Sequence, residues 1–187
     1  PVVTIDHSFN ESISIISDNS SGMRDLAEYI IAQGHRKIAY IYGNKSAVTH
    51  NRLVALNQVL MEHKIQVPDY YFLEGEYRVT ESAEEYTYHL LDCKERPTCI
   101  IAPDDYAALG VIKAIKRRGL KFPEQISVAG YDGISVSQAL EPKLTTIKQD
   151  TDKIGEEAAK SLISLMESPM TTPLTRIILK SELIIGE

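Results

Sequence analysis

Four carboxylates stand at the ends of short apolar runs, and their placement suggests ligand chemistry. Asp6 follows Val2–Ile5, the Asp104-Asp105 pair follows Thr98–Ala102, and Asp132 follows Ile126–Gly130. Two other residue types occur at comparable points. Arg52 falls in the first turn expected of the helix after Gly43-Asn44-Lys45-Ser46, and Tyr77 follows the apolar run at Tyr70–Leu73. Together they suit a polyhydroxylated molecule: carboxylates accept hydrogen bonds from hydroxyls, a guanidinium donates a fixed fork, and an aromatic face covers the C–H side of a sugar ring. Each residue also has a plainer reading. An Asp at a strand-to-helix junction can be only an N-cap, Asp132 before Gly133 can be only a turn, and Arg52 can be a solvated charge. Tyr77 can be loop packing. Asp104, Asp105 and Asp132 as paired carboxylates for hydrolysis, or as ligands of a divalent metal, form a third option with nothing else to support it.

Other reactive patterns are missing. His7, His35, His50, His63 and His89 have no paired ligand spacing, so no metal site is expected. There is no P-loop, no Gly-x-Gly-x-x-Gly after a strand and no Gly-x-Ser-x-Gly elbow. The sequence therefore predicts no catalytic residues and no cofactor.

The elements that must position these residues are clearest from Pro97 to Asp132. Thr98–Ala102 is short, apolar on both faces and rich in β-branched residues, as a buried parallel strand is. Tyr106–Arg118 has helical periodicity, with Lys116, Arg117 and Arg118 in its last turn and Gly119 at the C-cap. Ile126–Gly130 is the second strand. The same alternation runs through most of the chain: strands at Val2–Ile5, Ile13–Ile16, Ile38–Tyr42, Tyr70–Leu73 and Leu144–Ile147, with helices between most of them. Thr49 is expected to cap one helix and Asp150 or Thr151 another. A short helix is expected across Ser135–Leu140, and one or two closing strands lie between Leu174 and Ile185. This order predicts a mostly parallel α/β sheet. Parallel strands would gather Asp6, Arg52, Tyr77, Asp104-Asp105 and Asp132 beyond one sheet edge.

At 187 residues the chain can hold one domain or two small lobes. A net charge of −6 leaves no electrostatic footprint for nucleic acid. No run is long enough to span a membrane and the first residues lack a signal-peptide pattern, so a cytoplasmic location is expected. Cys93 and Cys99 are expected to be buried free thiols. The absence of an initiator Met points to a fragment of something longer.

The residues Pro97-Thr98, Ile100, Ala102, Asp105, Ala108, Gly110, Gly119-Leu120, Pro123-Glu124, Ile126-Ser127-Val128, Gly130-Tyr131-Asp132, Pro142, Leu144–Gln149 and Gly155 resemble the LacI/GalR family of sugar-responsive transcriptional repressors. Asp18-Asn19 with Gly22, Gly34–Ala39, and Gly43 with Val48-Thr49 and Arg52 fit the same pattern. The resemblance implies a type I periplasmic-binding-protein-like effector domain, with parallel sheets flanked by helices in two lobes. Residues 1–16 and 148–174 would belong to an incomplete N-terminal lobe, and 17–147 and 175–187 to the C-terminal one. It also implies effector contacts at Asp6, Arg52, Asp104 and Asp132, with Tyr77 and Gln149 beside them. A small-molecule effector, a sugar, and a homodimer follow, as does operator DNA bound only through an absent N-terminal helix-turn-helix. No membrane partner is implied. The helix at Tyr106–Arg118 and the segment Gln138–Pro142 would contribute to the dimer surface. Two departures bear on hydroxyl selectivity: Asp104-Asp105 stands where the family commonly has Asn-Asp, and Gly133 where it commonly has a second Asp. A transport-type sugar-binding protein of the same architecture is the competing expectation.

Overall fold

β3 (Ile38–Tyr42) and β5 (Cys99–Ile101) show why this sheet has helices on both faces. Successive side chains of a strand point to opposite faces, and here both sets are apolar. Ile38, Tyr40, Cys99 and Ile101 pack with α1 (Asn19–Ala32) and α2 (Ala47–Glu62), burying Met23, Leu26, Ile30, Leu56, Val59 and Leu60. Ala39, Ile41 and Ile100 face the other way, against α3 (Thr80–Asp92) and α4 (Asp105–Arg117), where Leu90, Val111 and Ile115 are buried. In the computed structural model residues 1–7 and 12–186 are described. Residues 8–11 and 187, within the expected lobe ranges 1–16 and 175–187, lie outside them.

β4 (Phe72–Glu74), β6 (Ser127–Asp132), β7 (Thr145–Lys148) and β9 (Glu182–Ile184) complete a sheet of order β4-β3-β5-β6-β7-β9. All its pairings are parallel except β7 with β9. A second sheet is made of β1 (Val3–Ile5), β2 (Ile13–Ser17) and β8 (Arg176–Leu179), parallel, in the order β1-β2-β8. α6 (Thr151–Glu167) covers one face of it through Ile154, Ala158 and Leu165. Ile16 and Ile178, paired in register, lie on the other face, and Ile178 is 58% exposed. Parallel sheets are ordinarily covered on both sides, and no helix among the described residues covers this face.

Several sequence expectations shift. Residues 176–179 pair with β2, so they sit with the three-stranded sheet and not with the larger one as the division at 174/175 has it. Tyr70–Leu73 is not one strand: Asp69–Tyr71 forms a 3₁₀ turn after Pro68, which burial of the Tyr71 ring favours, and only then does β4 begin. Ser46, not Thr49, caps α2, its Oγ accepting from Thr49 N at 3.1 Å. α4 begins one residue early because Asp104 caps it. Its apolar residues Ala107, Ala108, Val111, Ile112, Ala114 and Ile115 are core of this chain rather than a free contact surface, leaving Tyr106 exposed. In its basic last turns, Lys113 and Arg117 pair with Glu84 and Arg118 with Asp92. Cys99 is buried as expected, but Cys93 is half-buried.

Gly110 sets the spacing of α3 and α4. A Cβ there would strike the backbone carbonyl of Thr80 and come within 3.2 Å of Glu84 N, neither of which can rotate away. Gly110→Ala should therefore destabilise the fold by about 1–3 kcal/mol in urea denaturation, the usual cost of overpacking. An unchanged midpoint would contradict the tight crossing.

Asp105 is fully buried and joins three segments. Its carboxylate accepts from Thr146 Oγ1 at 2.6 Å, Ser137 Oγ at 2.7 Å and Ile134 N at 2.9 Å, tying α4 to β7 and to the loop before α5 (Ser135–Gln138). Burial pushes its pKa up to about 6, against the pull of those donors, with the Asp132 charge adding to the rise. The folded protein then binds this proton more tightly than the unfolded chain, so stability from this group grows as pH falls. Relative to Asp105→Asn, the wild type should gain about 1.4 kcal/mol between pH 8 and pH 5. Parallel stability profiles for the two proteins would show that Asp105 does not titrate there.

Candidate functional site

Arg52 is only 2% exposed, which excludes the solvated-charge reading. It sits one turn into α2, and β3 with its Gly43 loop aims that turn back over the sheet's carboxyl edge. Its Nε donates to Asn19 Oδ1 at 2.8 Å and Nη1 to the Pro103 carbonyl at 2.9 Å. Cζ lies 3.4 Å from the centroid of the Tyr131 ring, a cation–π stack. A guanidinium carries five N–H donors, so two protein bonds leave capacity for a ligand.

Asp132 ends β6 at φ +100 and is followed by Gly133 at φ +66, where a side chain would run into Lys148. Its Oδ1 accepts from Gln149 Nε2 at 2.6 Å. Burial raises its pKa, while the Arg52 charge works to lower it. Asp6 follows β1 at φ +51 and its Oδ1 accepts from Ser17 N at 3.0 Å. Ser17 Oγ in turn donates to Gln149 Oε1 at 2.6 Å. The two sheets thus meet through Asp6, Ser17, Gln149 and Asp132.

The remaining residues stand differently. Asp104 has both oxygens occupied, by Ala107 N at 2.8 Å and Arg78 N at 2.6 Å, so it acts first as the cap of α4 and an anchor for the Arg78 turn. Tyr77 lays its ring against Gly43 and its hydroxyl meets Thr49 Oγ1 at 2.8 Å, which fixes the start of α2. It borders the arrangement without bonding to Arg52 or Asp132. Asp105 faces the core under the Asp132 loop rather than the edge itself.

Four described non-glycine residues have positive φ, and Asp6, Arg78 and Asp132 are three of them. Such strain gathers where side-chain direction matters more than local stability. An open cavity of about 460 Å³ adjoins it, lined by Arg78, Tyr106, Asp132 and Ile134. Ser17, Asn19, Arg78 and Tyr106 are the participants that sequence reasoning passed over. Asn19 lies among residues that suit a helix start, Ser17 stands between an apolar run and those residues with no signal of its own, and Arg78 gave no signal beyond its place after Tyr77. A second cavity, about 270 Å³, lies at the amino ends of β5, β6 and β7 beside Tyr29 and Phe122, and holds none of the expected site residues.

This arrangement sets carboxylate acceptors at Asp6 and Asp132 and a guanidinium donor at Arg52 in one network. Asp132 lies within the electrostatic reach of Arg52, and Asp6 is tied to both through Ser17, with Asn19 and Gln149 as the links. No group of three or more metal-binding side chains occurs among the described residues, and no helix is long and apolar enough to cross a membrane.

Comparison with known proteins points the same way. Residues 27–187 match the family described as periplasmic binding protein-like domain. The probable HTH-type transcriptional repressor ExuR of Bacillus subtilis (strain 168) is 32% identical over 174 residues, 91% of this chain and 52% of that protein. A regulatory protein of the LacI family from Chloroflexus aggregans superposes with a TM-score of 0.88 at 28% identity, over 98% of this chain and 66% of that one. A LacI family transcriptional regulator from Enterococcus faecium, solved with bound ribose, gives 0.90 at 25% identity, over 100% and 69%. The chain spans about half the length of the curated relatives it matches. With both its sheets, its edge of convergent polar residues and these matches in hand, the chain belongs to the periplasmic-binding-protein-like domain family, in the form carried by LacI-family regulators.

Proposed function

We propose that this chain is the effector-binding core of a LacI/GalR-type transcriptional regulator, and that its effector is a sugar held between the two sheets by Asp6, Arg52 and Asp132. The observation that carries this reading is the meeting of Asp6, Arg52, Asp132 and Gln149 in one network at the strands' carboxyl ends, from positions 143 residues apart in sequence at the extremes. Carboxylates at Asp6 and Asp132 accept from ring hydroxyls, Arg52 donates to ring or hydroxyl oxygens, and Tyr106 with Tyr77 supplies aromatic faces nearby. The ribose held by the Enterococcus faecium relative supports the ligand class.

In this reading, regulation rests on closure of the crevice. Ligand contacts from both sheets are strongest when the crevice is closed, and only such differential affinity can shift an open–closed equilibrium. The open face at Ile16 and Ile178 is where the rest of the N-terminal lobe packs, with an upstream helix-turn-helix as the DNA-reading part. The protein acts as a homodimer in the cytoplasm and not as an enzyme. Tyr106 is the aromatic residue of the expected dimer surface that α4 leaves exposed.

The test is a thermal-shift panel of pentoses, hexoses and disaccharides, D-ribose among them, on the full-length protein. A ligand at about 100 times its Kd stabilises by roughly 2.7 kcal/mol, a shift of several degrees. Arg52→Ala and the milder Asp132→Asn should each weaken binding about tenfold or more, since each removes a charge-assisted hydrogen bond. Unaltered titrations in both variants would rule this site out.

A further inference from the structure

All three polar groups of Ser17 are engaged, and each leads to a different candidate ligand residue. Its N–H donates to Asp6 Oδ1 at 3.0 Å. Its carbonyl accepts from Asn19 Nδ2 at 3.0 Å, and Asn19 Oδ1 takes the Nε–H of Arg52 at 2.8 Å. Its hydroxyl donates to Gln149 Oε1 at 2.6 Å, and Gln149 Nε2 donates to Asp132 Oδ1 at 2.6 Å. The residue is 3% exposed, and it is the last of β2, where the small sheet meets the edge of the large one.

We infer that Ser17 is the positioning residue of the effector site: it sets Asp6, Arg52 and Asp132 in one hydrogen-bonded frame and couples the two sheets through the Gln149 amide. The inference rests on the effector reading of that site. Ser17 touches no ligand in this account and acts through Asn19 and Gln149.

The Gln149 branch has a chemical direction. An amide can face an ionised carboxylate only with its NH₂ end, because an oxygen turned to Asp132 would set acceptor against acceptor. The Ser17 hydroxyl, by donating to Oε1, favours that same orientation. With Oδ1 of Asp132 occupied by Gln149, the other carboxylate oxygen keeps a defined direction for a ligand hydroxyl. Without the Ser17 hydroxyl, Oε1 loses its donor inside a half-buried site, the amide is free to turn, and Asp132 loses its fixed orientation. The backbone branches to Asp6 and Asn19 survive a side-chain change at this position. Ser17→Ala therefore cuts the Gln149 branch alone, and Ser17→Thr keeps the hydroxyl.

The experiment is a double-mutant cycle in the full-length protein, reading Kd for D-ribose or whichever sugar of the panel gives the largest melting shift. Ser17→Ala should weaken binding about fivefold, the usual scale of one neutral hydrogen bond. Ser17→Thr should return to within about twofold of wild type. In a Gln149→Ala background, Ser17→Ala should have no further effect. A Kd within twofold for Ser17→Ala, or an equal loss with and without Gln149, overturns the inference. If no sugar of the panel binds the wild type, the effector reading fails for those sugars, and the frame is then read by urea unfolding. Non-additive effects of Ser17→Ala and Asp132→Asn, lost when Gln149 is Ala, support it even then, and additive effects overturn it.

Discussion

The burial of one guanidinium constrains everything around it. Arg52 is removed from water, and a buried cation is tolerated only where hydrogen bonds and polarisable neighbours replace its hydration. Asn19 at the start of α1, the Pro103 carbonyl after β5 and the Tyr131 ring on β6 meet that demand together. Those groups come from three separate strand-to-helix or strand segments, so satisfying Arg52 fixes how the carboxyl edge of the large sheet is assembled. The same charge works against the pKa rise that burial gives Asp132 and so favours its ionised form.

Parallel topology turns this local arrangement into a site. Parallel pairing sets the C-terminal ends of β3, β5, β6 and β7 along one edge of the large sheet and those of β1 and β2 along one edge of the small one, and the bonds from Ser17 to Gln149 and from Gln149 to Asp132 join the two edges. The backbone strain at Asp6, Arg78 and Asp132 falls at those edges as well. Asp105 supports the larger edge from below: it holds the Ile134 amide and the Ser137 hydroxyl, and so the loop that follows Asp132. A buried carboxylate with three donors is a stiff mount for the loop that carries Asp132.

How much of this was legible in the sequence depended on whether a residue's role is local. Asp6 and Asp132 could be read because an acidic residue after a short apolar strand stands out, and because parallel strands share an edge. Asp132 stands at the carboxyl edge of the large sheet as that reading has it, whereas Asp6 follows a strand of the separate small sheet and is joined to Asp132 only through Ser17 and Gln149. The Asp104-Asp105 pair could be found but not apportioned, since which of two adjacent carboxylates caps the helix depends on the register of its first turn; Asp104 does, while Asp105 turns into the core. Arg52 looked like an ordinary helical charge until its three partners, 33 to 79 residues away, were in place. Ser17 gave no signal because it only closes a short apolar strand, and the partner that its hydroxyl meets, Gln149, is remote in sequence. β8 was assigned to the wrong sheet because Arg176–Leu179 has a strand's composition but nothing in it specifies β2 as its partner.

The central claim is that residues from both sheets bind one ligand in one crevice. A crystal structure of the full-length protein grown with a sugar from the panel, D-ribose first, tests it most directly. The account predicts the sugar between the sheets, its oxygens within hydrogen-bond reach of Asp6, Arg52 and Asp132. A sugar bound instead in the cavity beside Tyr29 and Phe122, with Asp132 and Arg52 facing only each other and the protein, would contradict it.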